Sequence, residues 1–272
     1  MKIGMIGTGN MGKILVESFI DSKAVPPEDI TITNRSLMKA YHIKEKYKEI
    51  HVEETADEVV TASDIIFLCV KPLDIHPLLT KISQHLTNNK CIISITSPVS
   101  VGQLQTMISC QVARIIPSIT NRALSGVTLL TFGSNVCEEY KEYLIKICSN
   151  ISTPIHIEEN VTRVASDIVS CGPAFFSYIL QRFIDGAVNE TAISKEQATE
   201  LASQMIIGMG KLIEKDIYTL QTLQEKVCVK GGVTGEGIKV LENELGDVFN
   251  QLIQKTHEKF EEDLTYVKRQ FQ

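Results

Sequence analysis

A glycine-rich loop near the start of the chain has the spacing that binds dinucleotides. It fits Gly-x-Gly-x-x-Gly and lies between a predicted strand, Lys2 to Ile6, and a predicted amphipathic helix, Met11 to Ser22. In that setting the glycines permit a tight turn, approach of a pyrophosphate and close helix packing, while the helix N-terminus favours phosphate charge. The alternative is a purely structural glycine turn. The loop predicts cofactor contacts from Gly7, Thr8, Gly9, Asn10, Met11 and Gly12.

The end of the second predicted strand distinguishes the two nicotinamide cofactors. NAD enzymes place Asp or Glu there against the ribose hydroxyl, whereas this chain has Asn34-Arg35-Ser36 followed by Lys39. A guanidinium can bind a ribose 2′-phosphate through two parallel hydrogen bonds, with the neighbouring side chains as further donors. The alternative, Arg35 as a solvated surface charge, leaves the absent carboxylate unexplained. The pattern predicts NADP, with NADPH preferred over NADH.

Val70-Lys71-Pro72 ends another predicted strand, Asp64 to Val70. Open α/β sheets bind ligands at the carboxyl ends of their strands, so we expect these three residues to border the cofactor. The alternative is an exposed lysine followed by a proline that starts a helix.

A second glycine-rich segment, Gly231-Gly232-Val233-Thr234-Gly235, precedes the last predicted helical stretch. Its backbone amides can form an anion nest at a helix N-terminus, which suits a substrate carboxylate. The alternative for Thr234 is a helix N-cap, because capping alone explains a threonine at a helix start.

Predicted strands and helices alternate through the first half of the chain, which indicates βαβ units and an α/β, doubly wound Rossmann-type sheet. After Glu158 the pattern is helical only, over Val161–Thr191, Lys195–Lys215, Leu220–Val227 and Glu236–Gln272, with a kink or restart expected at Gly172-Pro173. We therefore predict a cofactor domain over residues 1–158 and an all-α domain over residues 159–272. Because the apolar residues of 175–188 exceed one narrow stripe, we expect this second domain to associate with a second copy.

Composition excludes several function classes. The chain of 272 residues has mixed charges and a formal net charge of −6, which argues against a nucleic-acid partner. No apolar run approaches the length of a membrane span, and no signal-peptide pattern precedes the first strand, so we expect a cytoplasmic protein. The seven cysteines and six histidines lack metal-ligand spacing, and no metal is predicted.

Taken together, these motifs resemble the pyrroline-5-carboxylate reductase family, whose members reduce a cyclic imine to proline with NAD(P)H. The resemblance covers essentially the whole chain. Besides the segments above, it includes Arg114-Ile115-Ile116-Pro117 and Cys171-Gly172-Pro173-Ala174-Phe175, which is similar to the family's Gly-Ser-Gly-Pro-Ala-Tyr. It implies a Rossmann domain, a helical dimerisation domain and a homodimer with active sites at the subunit boundary. It also implies that the Thr234 hydroxyl faces the imine nitrogen as the catalytic contact, with Gly231, Gly232, Val233, Gly235 and Ser118 as further substrate contacts.

Departures from the family pattern lie on the substrate side. The usual Asn-Thr-Pro after Pro117 is Ser118-Ile119-Thr120, the usual Ser-Pro before the glycine pair is Val229-Lys230, and a usual glycine is Pro98. These replacements resemble the late-competence, ComER-type branch of the family. Two functions follow as expectations: an NADPH-dependent reductase of pyrroline-5-carboxylate or a related imino acid, and a regulatory paralogue that binds a dinucleotide with weak or no turnover.

Overall fold

The computed structural model describes all residues from 1 to 272 and divides them into two compact units. The first unit contains Met1–Pro173 together with Lys255–Gln272, and the second contains Ala174–Gln254. The end of the chain, which we assigned from the sequence to the helical domain, therefore belongs by its packing to the first unit. Val267 explains why: it is fully buried in the same apolar cluster as Ile75 and Leu79.

An eight-stranded, mostly parallel sheet forms the centre of the first unit, with the strand order β3-β2-β1-β4-β5-β6-β7-β8. The strands are β1 (Ile3–Ile6), β2 (Ile30–Thr33), β3 (His51–Val52), β4 (Ile65–Leu68), β5 (Cys91–Ser94), β6 (Gln111–Ile116), β7 (Val127–Phe132) and β8 (Thr153–His156). Strands β1, β2, β4 and β5 are buried along their whole length, because helices cover both faces of a parallel sheet. Only β6 and β7 pair antiparallel. The predicted doubly wound fold is confirmed.

Six helices lie between these strands: α1 (Asn10–Asp21), α2 (Leu37–Lys46), α3 (Ala56–Ala62), α4 (Pro72–Ile82), α5 (Val101–Met107) and α6 (Glu138–Ser149). The predicted strands and helices are found within a few residues of their expected ends. Strand β3 and helix α3 were not predicted from the sequence. A capping box marks the start of α3, since the Thr55 side chain accepts from the Glu58 amide and the Glu58 carboxylate accepts from the Thr55 amide. This Thr-x-x-Glu signal was available in the sequence.

The remainder of the chain is helical, as expected: α7 (Thr162–Ser166), α8 (Gly172–Glu190), α9 (Lys195–Glu214), α10 (Leu220–Val227), α11 (Val233–Leu245) and α12 (Val248–Gln270). The helical geometry is continuous through a π-helical turn, Asp167–Cys171, and α8 begins at Gly172, where the sequence predicts a kink or restart. The stretch predicted as one helix from Glu236 is two helices, divided at Gly246, whose φ is +46°. No helix is both long and apolar enough to cross a membrane.

A buried arginine joins the sheet to the start of the helical segment. Arg114 on β6 is 1% exposed, and its guanidinium donates to both carboxylate oxygens of Glu159, at 3.0 and 2.8 Å, and to Thr162 Oγ1 at 2.6 Å. Burial lowers the pKa of the guanidinium, while the Glu159 carboxylate opposes that shift. A buried charge without such partners would be costly, so this contact holds residues 159–162 against the sheet.

Candidate functional site

A cavity of about 600 Å³ in the first unit lies at the carboxyl ends of β1, β2 and β4. This is the edge at which open α/β sheets bind their ligands. Eight of the predicted cofactor residues line it: Gly7, Gly9, Asn34, Arg35, Ser36, Lys39, Val70 and Lys71. Thr8, Asn10, Met11, Gly12 and Pro72 do not line the cavity and belong to the loop or to the helix starts beside it.

Two of the loop glycines are required by close packing. Gly7 has φ +104°, and a Cβ there would lie 2.5 Å from the Cys69 carbonyl oxygen. At Gly12, the second residue after Asn10 in α1, a Cβ would lie 2.1 Å from the Gly7 carbonyl oxygen. Neither contact is possible for a residue with a side chain, so these positions bring α1 against the end of β4.

Gly9 differs from them because a Cβ there would meet no atom within 4 Å. Its missing side chain instead leaves open space in front of α1, whose first-turn amides lack intrahelical acceptors and have no side-chain cap. Beside it, Thr8 is 4% exposed and its Oγ1 is buried without a hydrogen-bond partner. An open approach to helix amides and an orphaned hydroxyl fit a bound pyrophosphate.

Asn34 fastens the two cofactor loops to each other. The Thr8 amide donates to Asn34 Oδ1 at 2.9 Å, and Asn34 Nδ2 donates to the Ser36 carbonyl at 3.0 Å. This side chain therefore positions the two loops, and its predicted contact with the cofactor stays a prediction. Arg35 and Lys39 are exposed at the cavity wall, where their cationic groups face solvent.

On the opposite wall, Lys71 precedes α4, and Pro72 is the first residue of that helix. Proline is favoured at this position because the amide there has no intrahelical acceptor. Burial raises the pKa of the neighbouring Cys69 thiol to about 12, so it is neutral near pH 7. The charged side chains on this side of the cavity are therefore those of Lys71, Asp74 and Lys81, and the Cys69 thiol adds no charge to them.

Several residues that line the cavity were not predicted from the sequence. Glu54 and Thr55 lie between β3 and α3, and Ala56 is the first residue of α3, while Asp74, Leu78 and Lys81 come from α4. The capping box at Thr55 was a usable signal for the first group. For the second, helical spacing from Pro72 places Asp74, Leu78 and Lys81 along one side of α4.

The Ser118 hydroxyl is buried and hydrogen bonded within the fold. The residue is 1% exposed, its Oγ donates to the Val169 carbonyl at 2.6 Å, and Thr120 Oγ1 donates back to it at 2.9 Å. Pro173 has no N–H for the carbonyl four residues earlier, which is that of Val169, so Ser118 supplies a donor there. The geometry favours a positioning role over the predicted substrate contact.

The glycine segment at 231–235 lies in the second unit and begins α11. Gly231 has φ +77°, Gly232 is the N-cap residue without a side-chain cap, and Val233 and Thr234 are the first two helical residues. Thr234 is therefore not the N-cap, which removes the capping interpretation left open by the sequence. The amides at this helix start have no side-chain acceptor and fit the anion nest that we predicted.

Comparisons with known proteins agree with both halves of this description. A family model described as pyrroline-5-carboxylate reductase dimerisation matches residues 159–263. A model described as NADP oxidoreductase, coenzyme F420-dependent, matches residues 2–98. The second match agrees with the prediction of NADP as the cofactor.

Similar proteins match along the full length. ComE operon protein 4 of Bacillus subtilis (strain 168) is 57% identical over 271 residues, covering 100% of this chain and 99% of the relative. Pyrroline-5-carboxylate reductase 3 of the same strain is 29% identical over 262 residues, 96% of each protein. The crystal structure of Plasmodium falciparum pyrroline carboxylate reductase with NADP bound shares the fold, with a TM-score of 0.83, 23% identity and 98% coverage of each chain. The chain belongs to the pyrroline-5-carboxylate reductase family and is similar within it to ComE operon protein 4.

Proposed function

We propose that this protein is an NADPH-dependent reductase of a cyclic imino acid, pyrroline-5-carboxylate or a close analogue. The observation that carries the proposal is the cavity at the carboxyl edge of the sheet. At one wall, Gly9 leaves open space in front of the α1 amides. At another, Arg35 lies at the strand end where an NAD enzyme has a carboxylate. A bound NADPH supplies the hydride. The residues of the chain must therefore bind the cofactor and the substrate, orient them and exclude water from the reacting atoms.

Different residues of the cofactor cavity bind different parts of NADPH. The α1 amides and Thr8 bind the pyrophosphate, Arg35 and Lys39 bind the ribose 2′-phosphate, and Lys71 borders the opposite side. Gly7 and Gly12 hold α1 close to β4. This assignment is supported by the open space at Gly9 and by the orphaned Thr8 hydroxyl.

For the substrate, the proposal assigns the start of α11. The amides of residues 231–235 bind the carboxylate, with Val233 at the rim, where it is 90% exposed. The Thr234 hydroxyl donates to or accepts from the imine nitrogen and thereby holds the proton that imine reduction requires. Support comes from the uncapped helix start and from the family match over residues 159–263.

The working form that we propose is a homodimer formed by the second unit. Only Ile184, Ala198 and Ala202 form a buried apolar cluster there, whereas Phe176, Phe183 and Leu201 are each at least 64% exposed. An apolar groove of about 240 Å³, lined in part by Phe183, Leu201 and Met205, runs along α8 and α9. Apolar surface of this extent on one face is typical of an interface between subunits.

A regulatory role is the second candidate, and a specific observation favours it. The Ser118 hydroxyl donates its hydrogen bond to a backbone carbonyl within the fold. In addition, Val229-Lys230 replaces the family's Ser-Pro beside the glycine pair. The relative at 57% identity, ComE operon protein 4, is named for an operon rather than for a reaction. Such a protein would bind NADPH and would reduce a cyclic imino acid slowly or not at all.

One experiment separates the two candidates. NADPH binding is titrated to its stoichiometry, and turnover is then measured with pyrroline-5-carboxylate and related cyclic imino acids. The reductase proposal expects one NADPH per subunit and steady consumption of NADPH. Stoichiometric binding without turnover of any cyclic imino acid would favour the regulatory role.

Two glycine variants test the cofactor loop. Gly9→Ala places a methyl group in open space, so it should weaken NADPH binding while lowering the melting temperature far less than Gly12→Ala does. Gly12→Ala collides with the Gly7 carbonyl, so it should lower the free energy of unfolding by about 1–3 kcal/mol. Thermal unfolding and fluorescence titration measure the two effects. Gly208→Ala, at an uncrowded helix position, is the control, and unimpaired NADPH binding by Gly9→Ala would contradict the assignment.

Cofactor selectivity tests Arg35. Arg35→Ala should weaken NADPH binding more than NADH binding by about 1–3 kcal/mol, because only NADPH has the phosphate that the guanidinium contacts. Arg35→Lys keeps the charge and loses the two-pronged donor geometry, so it should retain part of the preference. Equal losses for both cofactors in calorimetric titrations would remove Arg35 from the site.

Turnover tests Thr234. Thr234→Val should lower kcat by about 100-fold, while NADPH affinity and melting temperature stay close to their original values. Thr234→Ser retains the hydroxyl and should retain most of the activity. Since Gly232 is the N-cap, the valine variant does not remove a helix cap. Full activity in folded Thr234→Val protein would exclude this residue from the mechanism.

The oligomeric state tests the apolar face of the second unit. Phe183→Glu puts a charge on α8 at the groove and should convert the dimer to monomer at low micromolar concentration, as measured by sedimentation velocity. Gln181→Glu, two residues earlier and also exposed, introduces the same charge and should leave the dimer intact. A stable monomer of the unmodified protein would refute the proposal.

A further inference from the structure

Helix α4 contains a proline in its interior, Pro77. In an α-helix each N–H donates to the carbonyl four residues earlier, so the missing N–H of Pro77 leaves the Leu73 carbonyl without its intrahelical donor. A carbonyl that has lost this bond needs water or another donor. The first turn of α4 therefore has a defined gap in its hydrogen bonding.

The last residue of α12 fills that gap. Gln270 Nε2 donates to the Leu73 carbonyl at 3.1 Å, across 197 positions of sequence. Two residues near it, one on α12 and one just after the helix, also contact α4 or its apolar cluster. Val267 is fully buried in the cluster that includes Ile75 and Leu79, and the Phe271 ring packs edge-on against His76 with centroids 5.1 Å apart.

The turn that Gln270 contacts is also the wall of the cofactor cavity. Lys71 and Asp74 line that cavity, and the same two residues line a second cavity of about 340 Å³. The far side of the second cavity is made by Asp263, Tyr266 and Val267 of α12. The end of α12 thus lies beside the segment that contributes Lys71 and Asp74 to the cofactor cavity.

We propose that Gln270 is a positioning residue for cofactor binding: it latches α12 onto the carbonyl freed by Pro77 and so holds Lys71 at the NADPH cavity. This inference rests on the proposed function, because NADPH is the ligand whose binding it adjusts. In chemical terms, Pro77 and Gln270 form one unit, since restoring the N–H at position 77 makes the Gln270 donor redundant.

A double-mutant cycle tests this pairing in the full-length protein. The variants are Gln270→Leu, Pro77→Ala and the double variant, and Gln254→Leu is the same change at an exposed position of α12. NADPH affinity is measured by fluorescence titration well below the melting temperature, and amide exchange of residues 72–77 is measured without cofactor. Loss of the buried Gln270 Oε1, which has no partner, is common to both backgrounds and cancels in the cycle.

The expected result is an NADPH affinity about threefold to tenfold lower in Gln270→Leu, with faster exchange in residues 72–77. In the Pro77→Ala background the same substitution should change affinity less than twofold, and Gln254→Leu should behave like the unmodified protein. Equal losses in both backgrounds, or no loss in either, would overturn the pairing. If the unmodified protein binds no NADPH, the proposed function fails together with the cofactor role, and the exchange cycle alone decides whether the latch exists.

Discussion

The approach of the first glycine loop to the end of β4 is the constraint on which the cofactor cavity depends. A Cβ at Gly7 or Gly12 would stand within 2.5 Å of a backbone oxygen, so the loop can take this path only without side chains. The path in turn sets the start of α1, and with it the direction in which its free amides point. Asn34 then ties the second loop to the first through the Thr8 amide, which brings the Arg35 segment to the same cavity.

Outside the cavity, the first unit repeatedly uses a side chain from a distant segment to satisfy a group left open by the local sequence. Ser118 donates to the Val169 carbonyl, whose usual donor position is Pro173, and Gln270 donates to the Leu73 carbonyl, whose usual donor position is Pro77. Arg114 places a buried charge whose partners come from residues 159–162. Each contact joins segments far apart in the chain and satisfies a polar group that has no partner in its own segment.

The two units differ in how completely they bury their apolar residues. The sheet of the first unit is covered on both faces, with clusters that include Phe19, Phe67 and Leu79. The second unit has a small buried cluster and many exposed large apolar side chains, which suits a unit completed by a second copy. The substrate side of the family pattern is also where this chain departs most, so the cofactor machinery and the substrate machinery must be tested separately.

The sequence by itself determined the doubly wound fold, the helical second half and the residues around the dinucleotide loop, because these depend on local periodicity and on glycine spacing that act over a few residues. Arg35 at the end of β2 was identifiable for the same reason: strand ends are predictable, and a parallel sheet places them at one edge. The short strand β3 was not predicted because a strand of two residues is too short to show an alternating hydrophobic pattern. The capping box at Thr55 could, however, be recognised in the sequence. Only the tertiary structure decided that Ser118 is buried, that Thr234 follows the N-cap, and that α12 ends on α4. Those outcomes depend on which distant segment supplies a donor or an apolar surface, and no local pattern encodes that choice.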